Sequence, residues 1–475
     1  MVLSVASECA PLVKTGGLAD VVGALPRVMA GQGWDMRVLI PAYPGLAAQL
    51  AGPETLLEFG DLFGGPARVL AGTAAGLRML LLEAPHLYER GGGPYAGAEG
   101  DWPDNPERFA ALCRAAAAVA EGALSDGWRP EVLHAHDWQA GLAPAYLRYG
   151  GAADVRSVIT IHNIAFQGIA PADRLIGLGL PAAAFTPAEL EYYGRLSTLK
   201  AGLVTADAIT TVSPRYAEEL MRPEFGMGLE GVIAARADRV RGILNGVDTG
   251  LWSPEADPHI VPYGARTLKR KAQNRARLIA EFGLGEVPGP LAVVVSRLTW
   301  QKGIDLIEAV LPDFIQHGGG LVVLGTGESG LEDAMRRVAG AFPDRVGVHV
   351  GYDEALSHRL FAGGDAVLVP SRFEPCGLTQ MYGLLYGTVP VVAATGGLAD
   401  TVITANPMAL AAGTATGLTF HPTDALALSQ ALRRLCRLHG DPAVWTKLQR
   451  TGMKQPVGWQ ASSAAYAALY QSLAA

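Results

Sequence analysis

The sequence contains little of what several protein classes depend on. Only 4 of the 475 residues are cysteine, and they form no CxxC pair, which argues against a disulfide framework or a structural zinc site. Charged residues make up 17% of the chain, and 38 Lys+Arg face 45 Asp+Glu, so the basic excess typical of nucleic-acid or anionic-membrane binding is missing. No apolar run approaches the roughly 20 residues that cross a bilayer. We expect neither nucleic acid nor a membrane as a partner.

The remaining composition is that of a large globular protein. Hydrophobic residues make up 49% of the chain, and at roughly 150 residues per domain the length allows about two or three domains. The N-terminal segment MVLSVASECAPLVK has no basic stretch before its apolar residues and includes Glu8. This pattern predicts a buried strand rather than a secretory signal, so the cytoplasm is the expected compartment.

Short runs rich in β-branched residues alternate with longer helix-like segments. Strands are predicted at residues 2–6, 36–40, 79–82, 132–135, 157–161 and 208–212, and again at residues 291–296, 321–324, 346–350, 366–369 and 389–393. Continuous apolar strands, buried on both faces, are typical of parallel sheets covered by helices. We therefore predict an α/β fold with two parallel sheets.

A stretch without periodicity separates the two series of strands. It reads NGVDTGLWSPEADPHIVPYGA, is rich in Gly, Pro and Asp, and predicts an interdomain linker near residues 241–260. We accordingly expect a first domain at residues 1–245 and a second at residues 246–456. Residues 457–475 are expected to form a C-terminal helix that packs back on the first domain.

The first candidate site is the turn Lys14-Thr-Gly-Gly-Leu after the first predicted strand. Gly16 and Gly17 allow backbone N–H groups to approach a ligand at a helix N-terminus, which suits phosphate. The plain alternative is a helix-entry turn with a solvated lysine. A similar turn, Thr395-Gly-Gly-Leu-Ala-Asp, occurs in the second half without the lysine. The lysine therefore distinguishes the first turn as the candidate for a functional site.

Two cations flank a predicted helix start in Ser296-Arg-Leu-Thr-Trp-Gln-Lys-Gly-Ile-Asp. Arg297 follows a strand, and Lys302 precedes a helix. A leaving sugar-nucleotide diphosphate needs a metal or fixed positive groups to stabilise its charge. Since no two aspartates are separated by a single residue, the DxD metal-diphosphate motif is absent, and Arg297 and Lys302 are the candidates for that role. For an isolated pair at this spacing, ordinary surface cations are the simpler interpretation.

The strongest signal is Pro370-Ser-Arg-Phe-Glu-Pro-Cys-Gly-Leu-Thr-Gln, where a strand runs through a loop into a helix. Backbone N–H groups of residues 377–379 are suited to hold a phosphate at the helix start. The Glu374 carboxylate is suited to bind sugar hydroxyls or to offset positive charge at an anomeric carbon. A capping role is the usual interpretation of a lone glutamate.

Polar residues also follow two strands of the first half. His162 and Asn163 lie just beyond a strand, where open α/β sheets bind ligands. The segment His134-Ala-His-Asp-Trp places two imidazoles on one side of a strand, an arrangement that also occurs in metal sites. However, no further Cys or His cluster in the sequence has zinc spacing. Asp137 and Trp138 fit carbohydrate contact better, by hydrogen bonding and stacking.

Two other functions remain open on these residues alone. The segment GTGESG at residues 325–330 matches GxGxxG, and with Asp353 beyond the next strand it favours an NAD-dependent oxidoreductase. However, it lies in the second βα unit of its domain, where a phosphate-side glycine loop is the milder interpretation. A non-catalytic two-lobed sugar-binding protein would also use two α/β domains, although it would not need Arg297, Lys302 and Glu374.

Taken together, these segments closely resemble bacterial glycogen synthases and plant starch synthases. The resemblance is nearly end to end and is carried by KTGGLADVVGALP (14–26), HAHDWQAG (134–141), IHNIAFQG (161–168), LNGVDTGLWSP (244–254), SRLTWQKGIDL (296–306) and SRFEPCGLTQMYGLLYG (371–387). It implies a GT-B fold, with two Rossmann-like domains facing each other across a cleft. It also implies retaining transfer of glucose from ADP-glucose to a growing α-1,4-glucan, without metal, NAD or another cofactor.

The resemblance also implies site residues, carried over by position. The implied catalytic residues are Glu374, Arg297, Lys302 and His162. The implied donor-binding residues are Lys14, Gly16, Gly17, Asp20, Asn245, Tyr352, Cys376, Gly377, Leu378 and Thr379. The implied acceptor-side residues are Tyr95, Asp137 and Asn163. Among these, Arg297 and Lys302 are expected to stabilise departing ADP, and Tyr352 to lie near adenine.

One position separates this family from related enzymes. Many retaining GT-B enzymes carry a second glutamate eight residues after the first, whereas this chain has Tyr382 there, as glycogen and starch synthases do. The chain also starts directly at its first predicted strand, which favours the bacterial type. The oligomeric state and the degree of preference for ADP-glucose over UDP-glucose remain open.

Overall fold

The computed structural model describes residues 1–152 and 154–474. They form two compact units, Met1–Asn245 with Gln460–Ala475, and Gly246–Trp459. The strands are β1 (Val2–Val5), β2 (Met36–Pro41), β3 (Ala51–Phe59), β4 (Ala67–Ala74), β5 (Leu77–Glu83), β6 (Ala96–Gly97), β7 (Gly100–Asp101), β8 (Val132–His136), β9 (Arg156–Ile161), β10 (Ile169–Pro171), β11 (Glu191–Tyr192), β12 (Arg195–Ser197), β13 (Ala208–Thr211), β14 (Val240–Gly242), β15 (Leu291–Val295), β16 (Gly320–Gly325), β17 (Val346–Val350), β18 (Ala366–Val369), β19 (Val389–Ala393) and β20 (Leu418–Phe420).

Helices follow most of these strands. They are α1 (Gly17–Ala30), α2 (Pro85–Tyr88), α3 (Asn105–Ala120), α4 (Asp137–Ala140), α5 (Leu142–Tyr149), α6 (Thr198–Thr205), α7 (Pro214–Glu219), α8 (Pro223–Gly226), α9 (Glu230–Ala234), α10 (Lys271–Glu281), α11 (Ile304–Gln316), α12 (Ser329–Ala341), α13 (Glu354–Gly363), α14 (Thr379–Leu385), α15 (Gly396–Thr401), α16 (Pro407–Ala412), α17 (Ala425–His439), α18 (Pro442–Gly452) and α19 (Gln460–Ala474). In the part of the chain that is described, no helix has the length and apolar character needed to cross a membrane.

The first unit is built on a nine-stranded sheet in the order β14-β13-β9-β8-β1-β2-β5-β4-β3. From β1 the chain adds β2 and β5 on one side, and after β8 it adds β9, β13 and β14 on the other. All neighbours from β14 to β5 are parallel, whereas β3 and β4 extend the sheet as antiparallel strands. The order therefore reverses between β1 and β8, as in a Rossmann fold.

The second unit has a six-stranded sheet in the order β17-β16-β15-β18-β19-β20, with every pair parallel. Counted from β15, this is the 3-2-1-4-5-6 order of the Rossmann fold, and it reverses between β15 and β18. Successive residues of β15 face opposite sides: Ala292 and Val294 join one hydrophobic cluster, and Leu291 and Val293 join the other. Burial on both faces explains the continuous apolar runs, since each buried Val or Leu contributes about 1.5–3 kcal/mol.

The C-terminal helix α19 belongs to the first unit. Its Tyr466 and Tyr470 are fully buried, and the Tyr470 hydroxyl lies 2.7 Å from His134 Nδ1 on β8. The tyrosine ring packs in apolar surroundings while its hydroxyl bonds a buried imidazole. This one side chain therefore holds the helix against the first unit both by apolar packing and by a hydrogen bond.

Candidate active site

Both sheets reverse their strand order at a point where polar loops emerge. In open α/β sheets, ligands bind outside the carboxyl ends of the strands at such a reversal. In the second unit, the loop after β15 carries Arg297 and Lys302, and the loop after β18 carries Glu374. Three residues predicted to carry chemistry are thus brought to one sheet edge by the topology.

Lys302 and Glu374 are in direct contact. Lys302 Nζ lies 2.5 Å from Glu374 Oε2, and the Ser371 hydroxyl donates to the same oxygen over 2.9 Å. The side chains are only 16% and 10% exposed, and burial strengthens the attraction between their charges. The ammonium has three donors and the carboxylate accepts one of them, so further N–H groups are left for an anionic ligand.

A glycine permits this contact. Gly303 has φ +71°, a left-handed conformation that side chains rarely adopt, and a Cβ there would lie 2.2 Å from the Pro370 carbonyl oxygen. Because there is no side chain, the turn carrying Lys302 can lie directly against the end of β18. The Arg297 side chain, by contrast, is exposed and forms no ion pair or hydrogen bond with the other described residues.

The loop after Glu374 also joins the two strands at the reversal. Cys376 is buried, residues 377–379 are half-buried, and the Thr379 hydroxyl donates to the Val295 carbonyl at the end of β15 over 3.4 Å. The second glycine turn packs against this loop: Gly397 N–H donates to the Glu374 carbonyl over 3.1 Å. The repeated TGGLAD sequence therefore supports the glutamate loop in the second unit.

Tyr352 lies apart from these contacts. It follows β17, its side chain is 76% exposed, and its hydroxyl donates to Glu354 Oε2 over 2.8 Å. Such an exposed ring is accessible to a planar ligand.

In the first unit, the reversal between β1 and β8 contains a residue that the sequence analysis used only to exclude a signal peptide. Glu8 is buried, and its carboxylate accepts from the Thr15 N–H, from the Thr15 hydroxyl over 2.6 Å, from the Gly16 N–H over 3.3 Å and from the Tyr95 hydroxyl. Burial, and then the charge of Glu8, raises the pKa of Tyr95. A carboxylate within an apolar strand end was the signal that could have identified Glu8.

The glycine turn itself has free space around it. A Cβ added at Gly16 or Gly17 would meet no atom within 4 Å, and neither residue has a positive φ. Packing therefore does not require glycine at either position, which leaves room for a ligand near the start of α1. Lys14 Nζ lies 2.8 Å from Asp20 Oδ1, so two predicted donor-side residues pair with each other.

Asp137 organises the loop after β9. It is buried with φ +55°, an uncommon conformation that costs energy and clusters at functional sites. Its Oδ1 accepts from the His162 N–H over 2.7 Å and from the Asn163 N–H over 3.4 Å. Burial raises the pKa of Asp137 to about 7, against the opposing effect of these two hydrogen bonds. The Oδ1 of Asn245 is buried without a hydrogen-bond partner among the described residues.

Three histidines lie on β8 or directly after β9, and two of them are hydrogen-bonded to each other. His136 Nδ1 lies 3.0 Å from His162 Nε2, and its Nε2 lies 3.1 Å from the Ser4 hydroxyl. His134 bonds Thr160 over 2.6 Å in addition to the α19 tyrosine. Burial lowers the pKa of His134 to about 3 and that of His136 well below its ordinary value. Across residues 1–152 and 154–474, no group of three or more His, Cys, Asp or Glu could hold a metal ion.

The structure gives the GTGESG segment a role without NAD. It follows β16 and not the first strand of its unit, and Glu332 Oε1 accepts from both the Thr326 hydroxyl and the Gly327 N–H over 2.8 Å. The acidic Asp353 caps α13 by accepting from Leu356 N–H over 2.8 Å. The Gly327 N–H and the Asp353 carboxylate, which a bound dinucleotide would need, are therefore already hydrogen-bonded to groups of the protein.

Two family models match the chain. The starch synthase catalytic domain matches residues 1–235, and glycosyl transferases group 1 matches residues 289–437. Among curated proteins, two glycogen synthases from Cereibacter sphaeroides strains are 69% and 66% identical, each over 100% of this chain and 98% of the relative. A glycogen synthase from Paracoccus denitrificans is 59% identical over 100% of this chain and 99% of its own.

Solved structures agree with these relatives. The catalytic domain of starch synthase IV from Arabidopsis thaliana, bound to ADP and acarbose, has a TM-score of 0.89 at 30% identity over 100% of this chain and 99% of its own. A sucrose-phosphate synthase from Thermosynechococcus elongatus has a TM-score of 0.60 at 20% identity over 99% and 98%. The latter likeness concerns the fold alone, which is GT-B.

Proposed function

Because this chain belongs to the glycogen and starch synthase family of glycosyltransferases, we propose that it transfers glucose from ADP-glucose to the non-reducing end of an α-1,4-glucan such as glycogen. The observation that carries the proposal is 69% identity to a glycogen synthase over the full chain. The contact of Lys302 with Glu374 at the strand reversal supports it. The family membership argues against the oxidoreductase and the sugar-binding alternatives.

In the proposed reaction, the bond from the glucose C1 to the diphosphate oxygen breaks and a bond from C1 to the acceptor 4-oxygen forms. Negative charge accumulates on the departing ADP, and Lys302 and Arg297 stabilise it in place of a metal ion. The exposed guanidinium of Arg297 offers a planar set of donors suited to phosphate oxygens.

Glu374 holds the glucose hydroxyls and offsets positive charge at C1 as the diphosphate leaves. Its own position is held by Lys302 and Ser371, so little reorganisation is needed during reaction. The loop Cys376, Gly377, Leu378 and Thr379 supplies backbone N–H donors. The exposed ring of Tyr352 stacks on the adenine.

For residues of the first unit, the family membership suggests the following roles. Lys14, the open backbone at Gly16 and Gly17, and the paired Asp20 serve the phosphate side of the donor. His162 and the Asn245 carboxamide, whose Oδ1 has no hydrogen-bond partner among the described residues, hold the far side of the glucose. The proposed acceptor-side residues are Tyr95, Asp137 and Asn163.

Retention of configuration requires a covalent intermediate or attack from the face that the leaving group vacates. We favour the second route, in which the acceptor 4-hydroxyl passes its proton to the departing phosphate oxygen. Same-face attack balances the proton without a further base, and it requires a short-lived ion pair that Glu374 stabilises.

The test is incubation of the enzyme with labelled ADP-glucose or UDP-glucose and glycogen, with label counted in the polymer. We expect incorporation from ADP-glucose, release of one ADP per glucose, and the same rate in EDTA. Absence of incorporation from both donors would refute the transferase proposal. Loss of activity in EDTA would instead refute metal independence. A cytoplasmic location stays a proposal and is checked by cell fractionation.

A further inference from the structure

Gln380 is a fully buried residue of α14 next to the proposed phosphate loop. Its Nε2 lies 3.1 Å from the Cys376 carbonyl oxygen, 2.8 Å from the Gly377 carbonyl oxygen and 3.0 Å from the Thr401 hydroxyl. The reversed amide orientation would put an oxygen against two carbonyl oxygens, so the contacts determine which atom is nitrogen. The carboxamide therefore binds two successive peptide carbonyls.

Those two carbonyls determine where the next N–H groups point. In a planar trans peptide, the C=O and the following N–H point in opposite directions. Because the carbonyls of Cys376 and Gly377 point toward buried Gln380, the N–H groups of Gly377 and Leu378 point away from it. Neither N–H donates to another group within the described residues.

The backbone conformation has the shape of an anion-binding turn. Gly377 is left-handed with φ +69°, and Leu378 is right-handed with φ −107° and ψ −28°. Consecutive residues of opposite hand turn their N–H groups toward one concavity, which binds anions. A Cβ at Gly377 would lie 2.5 Å from Gln380 Oε1, so only glycine fits beside this amide.

The amide is itself held at some energetic cost. The Thr401 hydroxyl that it contacts donates to the Gly397 carbonyl over 2.6 Å, which connects Gln380 to the second glycine turn. Gln380 Oε1 is buried without a hydrogen-bond partner among the residues described. An unsatisfied buried acceptor destabilises the fold, so this amide is held in place although one of its two polar atoms is unpaired.

We propose that Gln380 is a positioning residue, which holds the carbonyls of Cys376 and Gly377 inward and thereby aims the N–H groups of Gly377 and Leu378 at the diphosphate of the donor. The proposal rests on the proposed function, because the diphosphate is that of ADP-glucose. Gln380 itself does not touch the donor.

The test is Gln380→Glu, which keeps the side-chain size but replaces the donating amide with a carboxylate that repels both carbonyls. ADP alone is titrated into the folded variant by calorimetry, and KM values are measured for donor and glycogen. We expect the Kd for ADP and the donor KM to rise roughly tenfold, which corresponds to the loss of one charge-assisted hydrogen bond. The KM for glycogen should stay unchanged.

The chain offers a matched control in Gln449. It is also buried in the second unit, and its Nε2 donates to the Gly387 carbonyl over 2.8 Å, outside the loop. Gln449→Glu should lower the melting temperature without changing the Kd for ADP. A purely structural role of Gln380 would give the same result at both positions.

A second variant covers the case in which Gln380→Glu does not fold. Gln380→Met fills a similar volume and removes the donor without adding charge, and it should weaken ADP binding by roughly threefold or more. A folded Gln380 variant with an unchanged Kd for ADP would overturn the inference alone. An unaltered enzyme that binds no ADP would overturn the proposed function and the inference together.

Discussion

At the scale of single residues, the pair Lys302 and Glu374 concentrates most of the proposed chemistry. The two residues lie 72 positions apart in the sequence, and their side chains are largely buried where they meet. A buried charge is costly unless it is paired, and removing one partner leaves the other without compensation. Each residue therefore stabilises the charge of the other, in addition to the role that we propose for it toward the donor.

We predict that Lys302→Ala and Glu374→Ala each lower kcat by about 100- to 1000-fold, the usual effect of removing one preorganised charge partner in a transition state. Steady-state kinetics on folded protein measures this. Because the residues are in contact, the double variant should lose less than the product of the two single losses. Lys447→Ala, which removes an exposed lysine of α18, is the control and should retain full activity. Near-normal kcat in folded Glu374→Ala would contradict the assigned role.

Asp137 gives a second prediction, which concerns pH. Its folded pKa of about 7 lies above the ordinary 3.8 because of burial, so the folded state binds the extra proton between these values. The stability from this group is complete below about pH 3.8 and is lost as the pH rises through 7. We predict that Asp137→Asn, which cannot titrate, gains thermal stability relative to the unaltered protein between pH 5 and 8.

The measurement is the melting temperature of both proteins across that range. The difference between them is what matters, because all other titrating groups are common to both. A difference that does not change with pH would show that Asp137 is ionised throughout.

At the scale of elements, close approach of backbones decides where the charged side chains lie. Gly303 allows the turn before α11 to contact the end of β18, and Gly396 and Gly397 allow α15 to contact the glutamate loop. A Cβ at Gly397 would lie 2.1 Å from the Cys376 carbonyl oxygen. These glycines allow the close contacts because any side chain at their positions would overlap with the neighbouring backbone.

We predict that Gly303→Ala lowers kcat by at least about tenfold and also lowers the melting temperature. The left-handed conformation costs roughly 1–2 kcal/mol for a residue with a Cβ, and the clash with Pro370 must shift the turn that carries Lys302. Kinetics and thermal unfolding measure the two effects. Gly330→Ala is the matched control, because a Cβ at Gly330 meets no atom within 4 Å and alanine favours a helix. Equal behaviour of the two variants would contradict the steric argument.

At the scale of the whole molecule, each unit is a complete Rossmann-like sheet with its own reversal of strand order. The first unit also buries His134 and His136, whose pKa values are lowered by burial, and this makes its stability depend on pH. A folded pKa of about 3 for His134, against about 6.5 when unfolded, means that the unfolded chain binds more protons between these values. The stability is therefore complete above about pH 6.5 and is lost as the pH falls toward 3.

We predict that unfolding of the protein becomes markedly easier between pH 7 and 4, by several kcal/mol. Thermal unfolding at a series of pH values measures this. His134→Gln, which does not titrate, should show a shallower dependence even though it is less stable at pH 7. His421→Gln changes an exposed histidine and should keep the original slope. Equal slopes in all three proteins would contradict the buried-histidine explanation.

The sequence by itself determined the fold class and the motifs that carry the proposed chemistry. Strands such as β1, β8, β15 and β18 were predicted because burial on both faces requires continuous apolar residues. The strands β3 and β4 were missed, because antiparallel strands at a sheet edge leave many residues exposed and break such runs. Lys14, Lys302 and Glu374 were identified because they lie in loops between a predicted strand and a predicted helix and because these loops resemble those of glycogen and starch synthases.

Only the tertiary structure decided which of these residues meet. The contact between Lys302 and Glu374, the carboxylate of Glu8 on the Thr15 and Gly16 amides, and the amide of Gln380 on two carbonyls depend on strand order and loop packing. Local sequence specifies how a segment folds, but distances between segments depend on the whole sheet. A buried polar side chain acquires its role from the partners that this packing provides.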